Sequence, residues 1–68
     1  MYLNIKALAN DLNKSINQIA RELDFDRPNL VKISQFKRKF NTTLLTKLID
    51  IYKLEPNDIL KYRVNNIN

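Results

Sequence analysis

The sequence predicts an all-α fold: five short helices in one compact domain, built around a central helix-turn-helix. Three observations carry this. The 68 residues contain no glycine and no cysteine, so glycine-based tight hairpins and a disulfide framework are both missing. Apolar residues recur at helical spacing along most of the chain. The stretch Ser15 to Ile33, SINQIARELDFDRPNLVKI, sets two apolar helical faces on either side of a short turn. Ile19, Ala20 and Leu23 form the first face, Leu30 and Ile33 the second, and Asp24 to Asp26 the turn. Ala20 is small where two helices must cross closely, and Phe25 fills the space beneath the turn.

Each element has its own signals. The first helix is expected from about Leu3 to Leu12, with Ile5, Leu8, Ala9 and Leu12 as an i, i+3, i+4, i+7 stripe. Asn13 is its stop, because Asn tolerates the left-handed conformation. Ser15 caps the second helix, with Gln18 as its capping-box partner. That helix ends near Leu23, and Asp24 takes the left-handed turn position. Asp26 caps the third helix, which runs to about Gln35. Pro28 falls in its first turn, where a missing N–H costs little. Lys37 to Phe40 form a basic loop. Asn41 caps a fourth helix over Thr42 to Tyr52, with Leu45, Leu48, Ile49 and Tyr52 facing inward. Pro56 opens a fifth helix, Asp58 sits near its positive end, and Ile59 and Leu60 point to the core. Strand signals are essentially missing; at most a short strand around Tyr62 to Val64 is expected. The domain is read as residues 1–62, with a polar tail over 63–68.

A chain this short buries roughly 60% of the surface it would expose unfolded, enough for one core. With no histidine or cysteine, metal sites of those ligands are excluded, and no cofactor is expected. The lack of cysteine fits a reducing cytoplasm, and the protein is expected to be cytoplasmic. No apolar run approaches the ~18–20 residues of a membrane span, and no signal peptide is visible.

The net charge is +5, and its placement is informative. Arg27, Lys32, Lys37, Arg38, Lys39 and Lys47 fall between Arg27 and Ile49 with no acidic residue among them. The remainder of the chain holds six basic and seven acidic residues. The whole positive excess therefore sits on the third helix and the segment C-terminal to it, the pattern of a surface for a polyanion.

With these features the chain resembles the Cro and lambda-repressor type of helix-turn-helix regulators over about Ile5 to Leu60. The five-helix order of that lambda-repressor-like fold is matched. Its small residue falls at Ala20 and its apolar positions at Ile19, Leu23, Phe25, Leu30 and Ile33. Its recognition-helix Arg and Lys fall at Arg27 and Lys32, its subsequent basic stretch at Lys37 and Arg38, and its terminal Asp-apolar-apolar at Asp58-Ile59-Leu60. The chain departs from the family at Asp24 and Phe36, where glycine is usual, at Lys14, where an apolar residue is common, and at Pro28, where relatives often carry a base-reading side chain.

The resemblance implies a sequence-specific regulator that binds double-stranded DNA, most simply a small bacterial or phage repressor. Its third helix, about 27–35, would enter the major groove N-terminus first. Arg27, Pro28, Asn29, Val31 and Lys32 are then the base-reading set, with Arg27 matched to guanine O6 and N7 and Val31 exposed to a thymine methyl. Ser15, Asn17, Gln18, Lys37, Arg38 and Lys39 are expected at phosphates. A homodimer, at least on DNA, is expected from the symmetry of operators; Tyr2, Ile59, Tyr62, Val64 and Ile67 are its candidate surface.

A second reading is a helix-turn-helix module that acts on another regulatory protein, as an antirepressor or modulator does. Pro28 and an exposed Phe36 favour it; the basic span favours DNA. An antitoxin would also bind DNA. An enzyme is not expected, because Ser15 and Ser34 have no activating base and the acidic residues are mostly accounted for by caps and helix starts.

Overall fold

The computed structural model describes residues 1–64. Among these, five helices and one strand pair run in the order β1 (Tyr2–Leu3), α1 (Ile5–Asp11), α2 (Ile16–Glu22), α3 (Arg27–Ser34), α4 (Thr42–Tyr52), α5 (Pro56–Leu60) and β2 (Arg63–Val64). The fold is therefore mostly helical but not purely so. β1 and β2 pair antiparallel, Tyr2 opposite Val64 and Leu3 opposite Arg63. Leu3, read from sequence as the start of the first helix, belongs to β1. The helix begins after Asn4, whose Oδ1 accepts from the Ala7 amide at 3.1 Å. Arg63 and Val64, counted with the polar tail but also within the one short strand the sequence allows around Tyr62 to Val64, form the second strand.

Side-chain caps set the other starts. Ser15 Oγ accepts from the Gln18 amide at 3.0 Å, Asp26 Oδ2 from Asn29 at 3.1 Å, and Asn41 Oδ1 from Leu44 at 2.8 Å. Each satisfies one of the orphan amides at a helix N-terminus. At α5 the bond runs the other way, the Glu55 amide donating to Asp58 Oδ2 at 3.3 Å. Pro28 and Pro56 both lie in first turns.

The helix ends show one device used three times. Asn13, Asp24 and Phe36 have φ of 58°, 51° and 62°. After each, the next amide reaches five residues back: Lys14 to Ala9 O, Phe25 to Ala20 O and Lys37 to Lys32 O, each at 2.9 Å. The left-handed residue itself bonds three back, to Asn10, Arg21 and Ile33 respectively. This paired 6→1 and 5→2 pattern is the Schellman motif. It normally takes glycine, and here it is filled by Asn, Asp and Phe.

One core joins β1 and the five helices. Leu3, Ile5, Leu8, Ile19, Leu23, Leu30, Ile33, Leu44, Leu48 and Ile59 are buried, as are the small Ala9 and Ala20. Phe25 packs against it, half-buried, beneath the turn. In α4 the inward line differs from the sequence reading. Leu44 and Leu48 are fully buried, whereas Leu45, Ile49 and Tyr52 lie half-buried at the edge. Leu12 and Leu60 are also only half-buried.

Candidate nucleic-acid interface

α2 and α3 are joined through Leu23–Asp26, and the residues singled out for binding fall on three neighbouring pieces: the start of α2, α3, and the loop after it. Arg27 opens α3 and is exposed. Its Nε donates to Asn17 Oδ1 on α2. Two residues assigned to different tasks are therefore coupled: Asn17 holds the Arg27 side chain by its inner nitrogen and leaves the guanidinium fork beyond it available. Arg21, Asp24 and Phe25 join Ala20 and these two residues around an open cleft of about 490 Å³. Pro28 and Lys32 are exposed.

Val31 and Asn29 differ from expectation. Val31 is half-buried rather than solvent-facing, and its carbonyl accepts from the buried Ser34 hydroxyl at 2.6 Å. Part of its apolar surface is already used inside the fold. Asn29 is half-buried, and its Oδ1 is shut from solvent with no partner among the described residues. In this rotamer it does not offer the paired acceptor and donor that read adenine.

Lys37, Arg38 and Lys39 are exposed. The loop they form is held from both sides. Lys37 closes the α3 C-terminus, and the Phe40 amide donates to Met1 O at 3.1 Å. Phe36, expected to be exposed, is half-buried and stands edge-on to Tyr2, with ring centres 6.4 Å apart at 87°. None of Arg27, Lys32, Lys37, Arg38 and Lys39 makes an ion pair among the described residues; the pairs there are Lys14–Glu22 at 3.0 Å and Lys61–Asp58 at 3.4 Å.

Two residues counted with this surface are engaged elsewhere. Gln18 does not close a capping box on Ser15; its Nε2 donates to Glu22 Oε2 at 3.1 Å. Tyr52 OH donates to Glu22 Oε1 at 2.6 Å, and Lys14 lies 5.3 Å from the Tyr52 ring centre. The Tyr52, Lys14 and Gln18 hydrogen bonds, in that order, hold the Glu22 carboxyl down at about 2. Desolvation, then the Glu22 carboxylate, raises the Tyr52 phenol. Lys47 is half-buried, and its Nζ donates to Leu23 O at 3.0 Å and Asp24 O at 3.3 Å. No local pattern in the sequence marks this contact, because it joins residues more than twenty positions apart.

The candidate dimer surface is divided. Ile59 is 0% exposed and belongs to the core, so it is not available to a partner. Tyr2 and Val64 are half-buried on the strand pair. Tyr62 OH donates to Asp11 Oδ2, a bond that raises its phenol, and its carbonyl accepts from the Asn4 amide at 2.7 Å. Ile67 lies outside the described residues.

Among the described residues no group of His, Cys, Asp or Glu is arranged to hold a metal, and no helix is long and apolar enough to cross a membrane. Comparison with family models, curated proteins and solved structures finds no match to this chain.

Proposed function

We propose that the chain is a sequence-specific regulator of the helix-turn-helix type that binds double-stranded DNA, with α3 in the major groove. The observation that carries this reading is the unneutralised basic strip of Arg27, Lys32, Lys37, Arg38 and Lys39, exposed on α3 and the adjoining loop while the acidic residues stay outside it. Such a strip binds phosphates by releasing condensed counterions. Arg27, steadied by Asn17, is the base reader: its free fork suits guanine O6 and N7, a contact worth about 1–3 kcal/mol of discrimination. Ser15 and Asn17 at the start of α2, with Lys37, Arg38 and Lys39, position the backbone. Swinging the Asn29 amide out to a base edge would also give its unpartnered oxygen a donor. Action as a small repressor, binding as a homodimer, belongs to this reading.

Selection from a random duplex pool, and then binding at several salt concentrations, tests it. An enriched inverted repeat with a steep salt slope is expected. Folded protein that enriches no sequence would overturn the reading in favour of a module acting on another regulatory protein. Within the DNA reading, Arg27→Ala flattens the preference between sequences. Lys37→Ala weakens binding to all sequences alike and lowers the log–log salt slope by about 0.9.

A further inference from the structure

We infer that Lys47 is a positioning residue that fixes the angle between α2 and α3, not a nucleic-acid contact. The inference rests on the DNA-binding reading. By charge alone Lys47 belongs with the basic strip, but it differs from the five other members in place and in use. They are exposed; Lys47 is half-buried, and its ammonium is spent on Leu23 O and Asp24 O, at 3.0 and 3.3 Å.

Those two carbonyls need it. The Schellman pattern at the end of α2 uses the carbonyls of Ala20 and Arg21. No backbone amide reaches Leu23 O or Asp24 O among the described residues. The amide four residues after Asp24 would belong to Pro28, which has none. Both carbonyls lie at the negative end of α2, where a cation is favoured. They also flank Asp24, whose left-handed φ of 51° turns the chain from α2 into α3. A cation reaching in from α4 thus bridges the hinge on which α3 hangs. The same helix grips the end of α2 a second time, through Tyr52 OH and Glu22 Oε1 at 2.6 Å.

The leverage is large for a small contact. An eight-residue helix is about 12 Å long at ~1.5 Å per residue, so a ~5° change at the hinge moves its far end by ~1 Å. The shift is smaller at Arg27, which opens α3 beside the hinge, but the same rotation re-aims its guanidinium fork, and a bidentate hydrogen bond depends on angle as well as distance. Phosphate contacts through flexible lysines absorb the same shift. Loss of the Lys47 ammonium should therefore reduce specific binding far more than non-specific binding.

The test compares Lys47→Met, which keeps the apolar stem, with Lys47→Arg, Lys37→Ala and the parent protein. Each is titrated with the selected duplex and with an unrelated duplex, at several salt concentrations and a temperature where urea unfolding shows all four folded. Lys47→Met is expected to lose about tenfold in affinity for the selected duplex, with its binding to unrelated duplex and its salt slope unchanged, and Lys47→Arg to recover most of the loss. A slope lowered by about 0.9 would make Lys47 a phosphate contact, and parent-like specific binding would leave it only a structural bond; either overturns the inference. Residual dipolar couplings of α2 and α3 in Lys47→Met, Lys47→Arg and the parent read the interhelix angle without DNA. An unchanged angle overturns the inference even if the parent protein binds no duplex, whereas a parent that binds none while the angle shifts overturns only the DNA-binding reading.

Discussion

Asn13, Asp24 and Phe36 occupy the same backbone conformation for different reasons. A left-handed residue with a Cβ is costly, less so for Asn and Asp, whose short polar side chains tolerate it. Asp24 is exposed and its side chain makes no hydrogen bond among the described residues, so Asp24→Gly removes strain and loses no contact. It is expected to stabilise the protein by about 0.5–1 kcal/mol in urea unfolding. Phe36→Gly should act in the opposite sense, because the ring stands against Tyr2 and such aromatic pairs contribute about 0.5–1.5 kcal/mol beyond their burial. Asn13 and Asp24 are legible as stops because their residue types carry the signal. Phe36 is not: nothing in local propensity places a phenylalanine at positive φ, and its partner lies near the start of the chain.

At the scale of elements, α2 is tied to α4 as well as to α3, through Tyr52 and Lys47. Glu22 gathers Tyr52, Lys14 and Gln18 around one carboxylate. Its folded value of about 2 lies below the ordinary 4.5, so between these values the unfolded chain binds more protons than the folded one. Stability from this group is fully present above about pH 4.5 and is lost as pH falls through 2. Thermal unfolding monitored from about pH 6 to pH 2 should show this decline, and Glu22→Gln should flatten it. Tyr52 works at the other extreme, its raised phenol withdrawing stability as pH climbs past its ordinary value of 10. The helices themselves are legible through their caps, and α4 spans Thr42–Tyr52 as its cap and stripe predict. Its facing is not legible, because Leu44, Leu45, Leu48, Ile49, Ile51 and Tyr52 allow two adjacent apolar lines and only packing against the other elements selects Leu44 with Leu48. The start of α1 is obscured because the Asn4 cap competes with an apolar run that reads as helix from Leu3.

For the molecule as a whole, the core is small and its margins thin. Domains of this length are stable by roughly 3–10 kcal/mol, at ~0.05–0.15 kcal/mol per residue. Leu30 is fully buried between the elements, and Leu30→Ala is expected to cost about 2–5 kcal/mol, enough for circular dichroism to show a large unfolded fraction at about 37 °C. β1 and its pairing with β2 are the part of the architecture that sequence patterning hides. Two residues are too few to show alternation, and the pairing joins Tyr2–Leu3 to Arg63–Val64 across nearly the full chain. The basic strip is legible as charge, but which cations face outward is not: Lys47 holds the α2–α3 turn, and that is visible only once α4 is packed beside it.

The bond from the Phe40 amide to Met1 O bears on the order in which the basic loop acquires its shape. The loop carrying Lys37, Arg38 and Lys39 is braced by Met1, which leads directly into β1, and β1 is paired with β2. During synthesis the cations leave the ribosome well before Arg63 and Val64 do. A nascent chain therefore holds the charge of the surface before it holds its shape, and on the DNA-binding reading it attracts a polyanion before it can read one. Amide hydrogen exchange at Phe40 is expected to slow in step with that of the strand pair and not with that of α2 and α3.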